Sequence, residues 1–160
     1  MTYLENDAII SDCGSYRYLL RRVWNHDLPR VLIIMLNPST ADASVDDPTI
    51  RSCVRLCKSH GHGSFEVVNL FAWRATDPRQ IEAVPHPVGP ENDAVIRAAV
   101  NRCDEIICAW GAFSRAEKRG REVLRMISRP AVFCWGQTKS GAPKHPLYIK
   151  TGTLLMAFRI

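Results

Sequence analysis

The sequence predicts a single α/β domain: a three-layer α/β/α sandwich around a four-stranded, mainly parallel central sheet. Three observations carry that prediction. Val31 to Leu36 is an unbroken run of six apolar residues, too many for a half-exposed strand that alternates, and it suits a strand buried on both faces. Similar short apolar runs at 65–70, 105–110 and 131–135 alternate with helical patterns, as in a parallel sheet joined by crossovers. Each run stops at a breaker or polar residue: Asn37-Pro38, Asn69, Gly111 and Gly136.

The chain of 160 residues is long enough for one domain with a substantial core. A hydrophobic content of 46% and a charged content of 23% are those of a soluble globular protein. No apolar run approaches the ~20 residues of a membrane span. MTYLENDAII lacks the basic start and apolar stretch of a signal peptide, so a cytoplasmic location is expected.

Residues 1–28 read as an N-terminal extension. Two apolar-rich pieces, AII and YRYLLRRVW, are separated by Asp12-Cys13-Gly14-Ser15, which predicts a hairpin or a strand-turn-helix opening. The central strand 31–36 follows, then an acidic loop with Asp42, Asp46 and Asp47. A helix is predicted from 48 to 60, capped by Asp46 or Asp47, with Pro48 in its first turn and Gly61 at its end. Ile50, Cys53, Val54 and Cys57 give it one buried stripe.

Strand 65–70 leads into a loop containing Pro78, Pro85, Pro87 and Pro90, too rich in proline to be regular. Helix 91–102 and strand 105–110 come next. Ser114 and Glu117 have the spacing of a capping box opening a helix that runs to about 128. Strand 131–135 precedes the tail GQTKSGAPKHPLYI, and the chain closes in a short strand or helix.

The formal charge is +5 and the pI about 9.0, which is consistent with a polyanionic partner but not specific for one. Arg17, Arg21, Arg22 and Arg30 lie early; Arg115, Lys118, Arg119, Arg121 and Arg125 read as a solvated helix face. The six cysteines form no C-x-x-C pair. Cys53 and Cys57 with His60 and His62 lack the usual zinc spacing and read as buried thiols in a reducing cell, so neither metal nor cofactor is expected.

In a parallel sheet the strand ends share one edge, so four sequence-distant loops should converge on one cleft. The chemistry there is amide, aromatic and imidazole. Asn37 and Asn69 can each present a donor and an acceptor to a flat heterocycle. Phe71 and Trp73 can stack on a base or pack in the core. His145, between Lys144 and Pro146 in a glycine-rich loop near Lys139, can meet an oxyanion. No phosphate-cradling glycine motif and no G-x-S-x-G elbow is present. Cys134 and His145 do not make a nucleophile pair, because Cys134 falls within a buried strand.

RYLLRRVW, MLNPSTAD, DPTIRSC, NLFAWRATDP, AWG and G-x-P-K-H-P-L-Y, in this order, resemble a bacterial and phage family of unknown function, domain family sixteen-forty-three. The likeness covers nearly the whole chain and carries no activity. The chain also resembles the uracil-DNA glycosylase superfamily, whose members have a four-stranded parallel sheet with helices on both faces. Met35-Leu36-Asn37-Pro38-Ser39 takes the place of that superfamily's first motif, which orients or activates the attacking water. Val67-Val68-Asn69 is similar to its base-reading strand end, and His145-Pro146-Leu147 to its last motif, whose histidine stabilises the departing base.

Asn37 stands where the fastest members carry an acid, so it can position water but cannot take a proton, as in the mismatch-specific branch. Ser39 replaces the residue controlling access for 5-substituted pyrimidines, and Leu147 lies closer to the histidine than the superfamily's leucine wedge does.

This resemblance implies hydrolysis of the N-glycosidic bond of a damaged, mispaired or modified base flipped out of DNA; a monomer without a cofactor is expected. Asn37 and His145 would be catalytic, and Leu36, Ser39, Asn69 and Phe71 would hold the base. Trp73, Arg74, Lys139, Lys144, Leu147 and Tyr148 would contact the nucleic acid. Asp42 or Asp46 could supply the missing carboxylate, although capping the next helix suits Asp46. The rival expectations are a non-catalytic nucleic-acid or nucleotide-binding module on the same fold, and hydrolysis of a free modified nucleoside or nucleotide.

Overall fold

In the computed structural model, which describes residues 2–160, a twisted sheet has α1 on one face and α3 and α4 on the other. The strands are β1 (Glu5–Ile10), β2 (Arg17–Val23), β3 (Arg30–Met35), β4 (Ser64–Asn69), β5 (Glu105–Cys108), β6 (Phe133–Cys134) and β7 (Met156–Ala157). The helices are α1 (Pro48–Ser59), the one-turn α2 (Gln80–Ala83), α3 (Asn92–Arg102) and α4 (Ala116–Ile127); Pro146–Tyr148 forms a single 3-10 turn.

The sheet corrects the sequence reading. It has seven strands and is mixed, in the order β1-β2-β4-β3-β5-β6-β7, not four-stranded. The four anticipated strands form its parallel centre, β4-β3-β5-β6, and antiparallel strands extend both edges. The N-terminal segment resolves to the hairpin β1–β2, turning at Gly14 with φ 74°. β7 adds to the far edge. Both additions were hard to read because β1 is largely exposed and β7 is only two residues long.

The apolar run of β3 is explained by its position. Leu32 and Ile34 pack toward α3 and α4, while Val31, Ile33 and Met35 pack toward α1. With both faces covered, every core-facing position demands an apolar side chain. Cys53, Cys57, Cys103, Cys108 and Cys134 are buried free thiols, and Cys13 is exposed. No described helix is long and apolar enough to cross a membrane.

α1 is capped by Asp47, whose carboxylate accepts from the Ile50 amide at 2.8 Å. Asp46 does not cap it. Its carboxylate accepts from Arg22 Nε at 2.9 Å and from the Tyr3 hydroxyl. The anticipated capping box of α4 does not form either: Ser114 donates to Glu82 at 3.1 Å, and Glu117 pairs with Arg121 at 2.7 Å. Nor is the basic run of α4 wholly solvated. Arg119 is buried, ion-paired with Asp93 and donating to the Leu70 carbonyl. In the proline-rich stretch, Val88 and Pro87 offer their carbonyls to the Ala72 and Trp73 amides, a role that proline can still fill.

Gly120 lies in α4 against the indole of Trp110. A Cβ there would stand 2.8 Å from Trp110 Cζ2, and Phe158 holds the far side of that ring edge-on at 5.5 Å. Gly120→Ala should therefore destabilise the fold. Overpacking of ~1–3 kcal/mol outweighs the ~1 kcal/mol that alanine gains in a helix. A shift of the urea midpoint to higher denaturant would contradict this account.

Candidate functional site

Loops following all four parallel strands, with the first turn of α1, enclose a cavity of about 460 Å³ at the carboxyl edge of the sheet. Leu36, Asn37 and Ser39 follow β3; Ala75, Thr76 and Pro78 follow β4; Trp110 to Phe113 follow β5; His145 and Tyr148 follow β6. The loops are tied together through the backbone. The Phe71 amide donates to the Leu36 carbonyl, Ala75 to Pro38, and Gly111 to Pro143. Gly111 has φ 75°, and a Cβ on it would lie 3.7 Å from that of His145.

Asn37 is oriented by its own hydrogen bonds. Its Nδ2 donates to the Ala75 carbonyl at 2.8 Å and to the Pro38 carbonyl at 3.1 Å. Carbonyls accept only, so the amide cannot be flipped, and Oδ1 remains the atom without a protein partner. Pro38 ends the strand, and this clamp sets the side chain immediately beyond it.

His145 is half-buried, and its Nδ1 accepts from the Leu147 amide at 3.3 Å. That bond places the ring proton on Nε2, a donor. Burial lowers the imidazole pKa below its ordinary 6.5, with the Asp47 carboxylate partly opposing. Burial thus favours the neutral ring.

Two charged residues of the cavity were not anticipated as site residues. Arg17 enters from β2 and Asp47 from the N-terminal end of α1. Asp47 places a carboxylate in the lining, whereas Asp42 and Asp46, the carboxylates anticipated there, do not line the cavity. Asp42 accepts from the Ser44 and Val45 amides, and Asp46 holds Arg22. The hydroxyls of Ser39, Thr49 and Thr76 and the rings of Phe113 and Tyr148 complete the lining.

Other anticipated residues are not brought here. Asn69 is fully buried with both amide atoms unpartnered, and the cavity is lined instead by Met35, its neighbour across β3–β4. Phe71 packs into the opposite core, with the Arg115 guanidinium 5.6 Å from its ring centroid. Trp73 stands edge-on to Tyr16 at 5.4 Å, and Arg74 reaches the Gly14 carbonyl at 3.3 Å. Lys139, Lys144 and Leu147 are exposed, on the hairpin and turn that carry His145.

A larger cavity of about 570 Å³ shares Trp110 to Phe113 but is otherwise lined by Ser114 and the first turns of α4, the 137–143 hairpin and residues 158–160. Its Glu117 and Arg121 satisfy each other. The smaller one gathers an imidazole, a carboxylate, a guanidinium and an amide. No group of three or more metal-ligating side chains gathers among the described residues, and His62 is held by Glu105 at 2.8 Å.

The His145 environment makes two measurable statements. By NMR titration its imidazole should protonate below 6.5, and Asp47→Asn should lower that value further, since the carboxylate favours the charged ring. The unfolded chain then binds the proton more readily, so this contribution to stability falls as the pH drops through 6.5. A titration above 6.5 would contradict the assigned burial.

Comparison with curated proteins and with solved structures finds no match. A family model described as "Protein of unknown function (DUF1643)" matches residues 17–147, a span that opens on Arg17 and takes in every lining residue except Tyr148. The chain belongs to the DUF1643 family.

Proposed function

We propose that the protein hydrolyses the N-glycosidic bond of a damaged, mispaired or modified base flipped from DNA into the cavity. The observation that carries this reading is the convergence of Asn37, Asp47 and His145 on one cavity with aromatic walls. Flipping costs a few kcal/mol, least at a mispaired or damaged base.

Each polar group then has a separate task. A neutral Nε2–H on His145 donates to the oxygen of the departing base, where negative charge develops as the C1′–N bond breaks and its electron pair leaves with the base. Asn37 Oδ1 accepts a hydrogen bond from the attacking water and holds it in line. Asp47 takes the proton that this water sheds as the new C1′–O bond forms, and its charge stabilises the cationic sugar before that. The base takes its proton from solvent after release. Leu36 and Ser39 bound the base, and exposed Tyr148 flanks the strand at the mouth.

The test is base release from oligonucleotides carrying uracil, hypoxanthine or modified pyrimidines, in single strands and duplexes. On the substrate that is cleaved, Asn37→Ala, His145→Ala and Asp47→Asn should each slow release by ~100-fold, which is ~3 kcal/mol per oriented group. Asparagine caps helices as well as aspartate, so Asp47→Asn removes the charge and keeps the cap. Unchanged rates in all three variants would sink the assignment. Salt-dependent binding with no abasic product would instead favour a non-catalytic nucleic-acid-binding module, the reading that a neutral Asn37 motivates.

A further inference from the structure

Arg17 offers more donors than the protein uses. Its side chain is 2% exposed, yet it lines the cavity. Nη1 donates to the Ala41 carbonyl; Nε is closed off without a partner; Nη2 makes no hydrogen bond within the protein; and no ion pair forms with any described carboxylate. Burial brings the guanidinium down to about 10, Asp47 opposing and Arg74 adding to the effect.

Arg22, five residues along the same strand, is the contrast. It is fully buried too, but Nε meets Asp46 at 2.9 Å, Nη2 the Asp42 carbonyl at 2.6 Å and Nη1 the Arg21 carbonyl at 2.9 Å, while the Tyr3 ring lies 5.4 Å away. Arg22 is saturated and structural. A buried guanidinium left with one neutral acceptor is costly unless an oxyanion completes it, and its planar fork matches phosphate.

The amino end of α1 opens on the same cavity, through Thr49 and Ile50. This helix is 12 residues long. Asp47 takes the Ile50 amide, whereas the Thr49 amide lies in the first turn, where no intrahelical carbonyl is in reach. The positive end of the helix and an unsaturated buried arginine therefore act on one space.

We propose that Arg17, with the first turn of α1, binds the phosphate of a sugar-phosphate unit whose sugar and base fill the rest of the cavity. The placement of sugar and base rests on the glycosidic reading; the phosphate site does not. The phosphate belongs either to a free nucleotide or to a DNA backbone.

The probes are 2-deoxyribose 5-phosphate, 2-deoxyribose, inorganic phosphate and a short single strand with one tetrahydrofuran abasic residue, titrated calorimetrically into the full chain. The sugar phosphate should bind at least tenfold more tightly than the sugar, and inorganic phosphate should compete with it. Arg17→Gln should abolish that preference. Arg17→Lys, which keeps the charge and loses the fork, should weaken sugar phosphate at least tenfold and leave the sugar unaffected, so it serves if the glutamine variant fails to fold by circular dichroism. Equal affinity for sugar and sugar phosphate, no binding of either, or a folded variant that binds as the native chain does overturns the proposal. Tighter binding of the oligonucleotide assigns the phosphate to DNA; tighter binding of the sugar phosphate assigns it to a nucleotide. Phosphate binding in a protein that releases no base would sink the hydrolysis and leave this site standing.

Discussion

Two buried arginines on β2 decide where the loop between β3 and α1 lies. The segment between β3 and α1 has no regular structure, and such a segment is ordinarily among the first parts of a domain to move. Here Arg17 takes the carbonyl of Ala41, and Arg22 takes the carbonyl of Asp42 and the carboxylate of Asp46. The loop is thus fixed from its middle to the start of α1. Near its start Asn37 is locked by Ala75, and its last residue, Asp47, is locked by the Ile50 amide. An antiparallel strand added to a parallel sheet is in this way the scaffold for the site, although its hairpin partner β1 is largely exposed.

The parallel centre supplies the rest. Because β4, β3, β5 and β6 run the same way, their carboxyl ends deliver four loops to one edge, and the amide-to-carbonyl bonds from Phe71 to Leu36 and from Ala109 to Ile34 continue the ladder past the strands. Side chains at that edge inherit the rigidity of a core covered on both faces. His145 benefits most. Its turn is short, but the glycine-lined approach of Gly111 and the Leu147 amide leave the ring one tautomer and one free nitrogen.

Much of this was legible in the residues. The two-sided burial of 31–36, the turn at Asn37-Pro38, the Pro48 helix start and the convergence of four loops all follow from patterns of a few neighbouring residues. What escaped depended on strand parity and on distant partners. Asn69 shares the parity of Phe65 and Val67, so it points into the core beside α1, and Phe71 turns into the opposite core. Arg17 and Arg22 carried no role in the sequence reading because nothing local names their partners, which lie 24 and 20 or more residues away. The available signal was their setting. In YRYLLRRVW, arginines interrupt an apolar strand, and a buried strand holds charge only where something distant or a ligand answers it.

The two unanticipated charges also narrow what the cavity is for. A pocket for a simple anion has no use for Asp47, and a pocket for a simple cation has no use for Arg17. Both line the cavity, and the Asp47 carboxylate acts on the Arg17 guanidinium through space without a direct ion pair among the described contacts. Asp47 spends one oxygen on the Ile50 amide, a task that needs no charge, since asparagine or serine caps a helix as well. Keeping the carboxylate raises the His145 imidazole and the Arg17 guanidinium toward their ordinary values. The ligand proposed for this cavity would carry opposite charges at its two ends in the transition state. A sugar phosphate losing its base does so, with a fixed anion on the ester and a cation growing at C1′. On that argument the guanidinium and the carboxylate are one device, and the neutrality of Asn37 is consistent with it, because a second carboxylate beside Asp47 would oppose the bound phosphate.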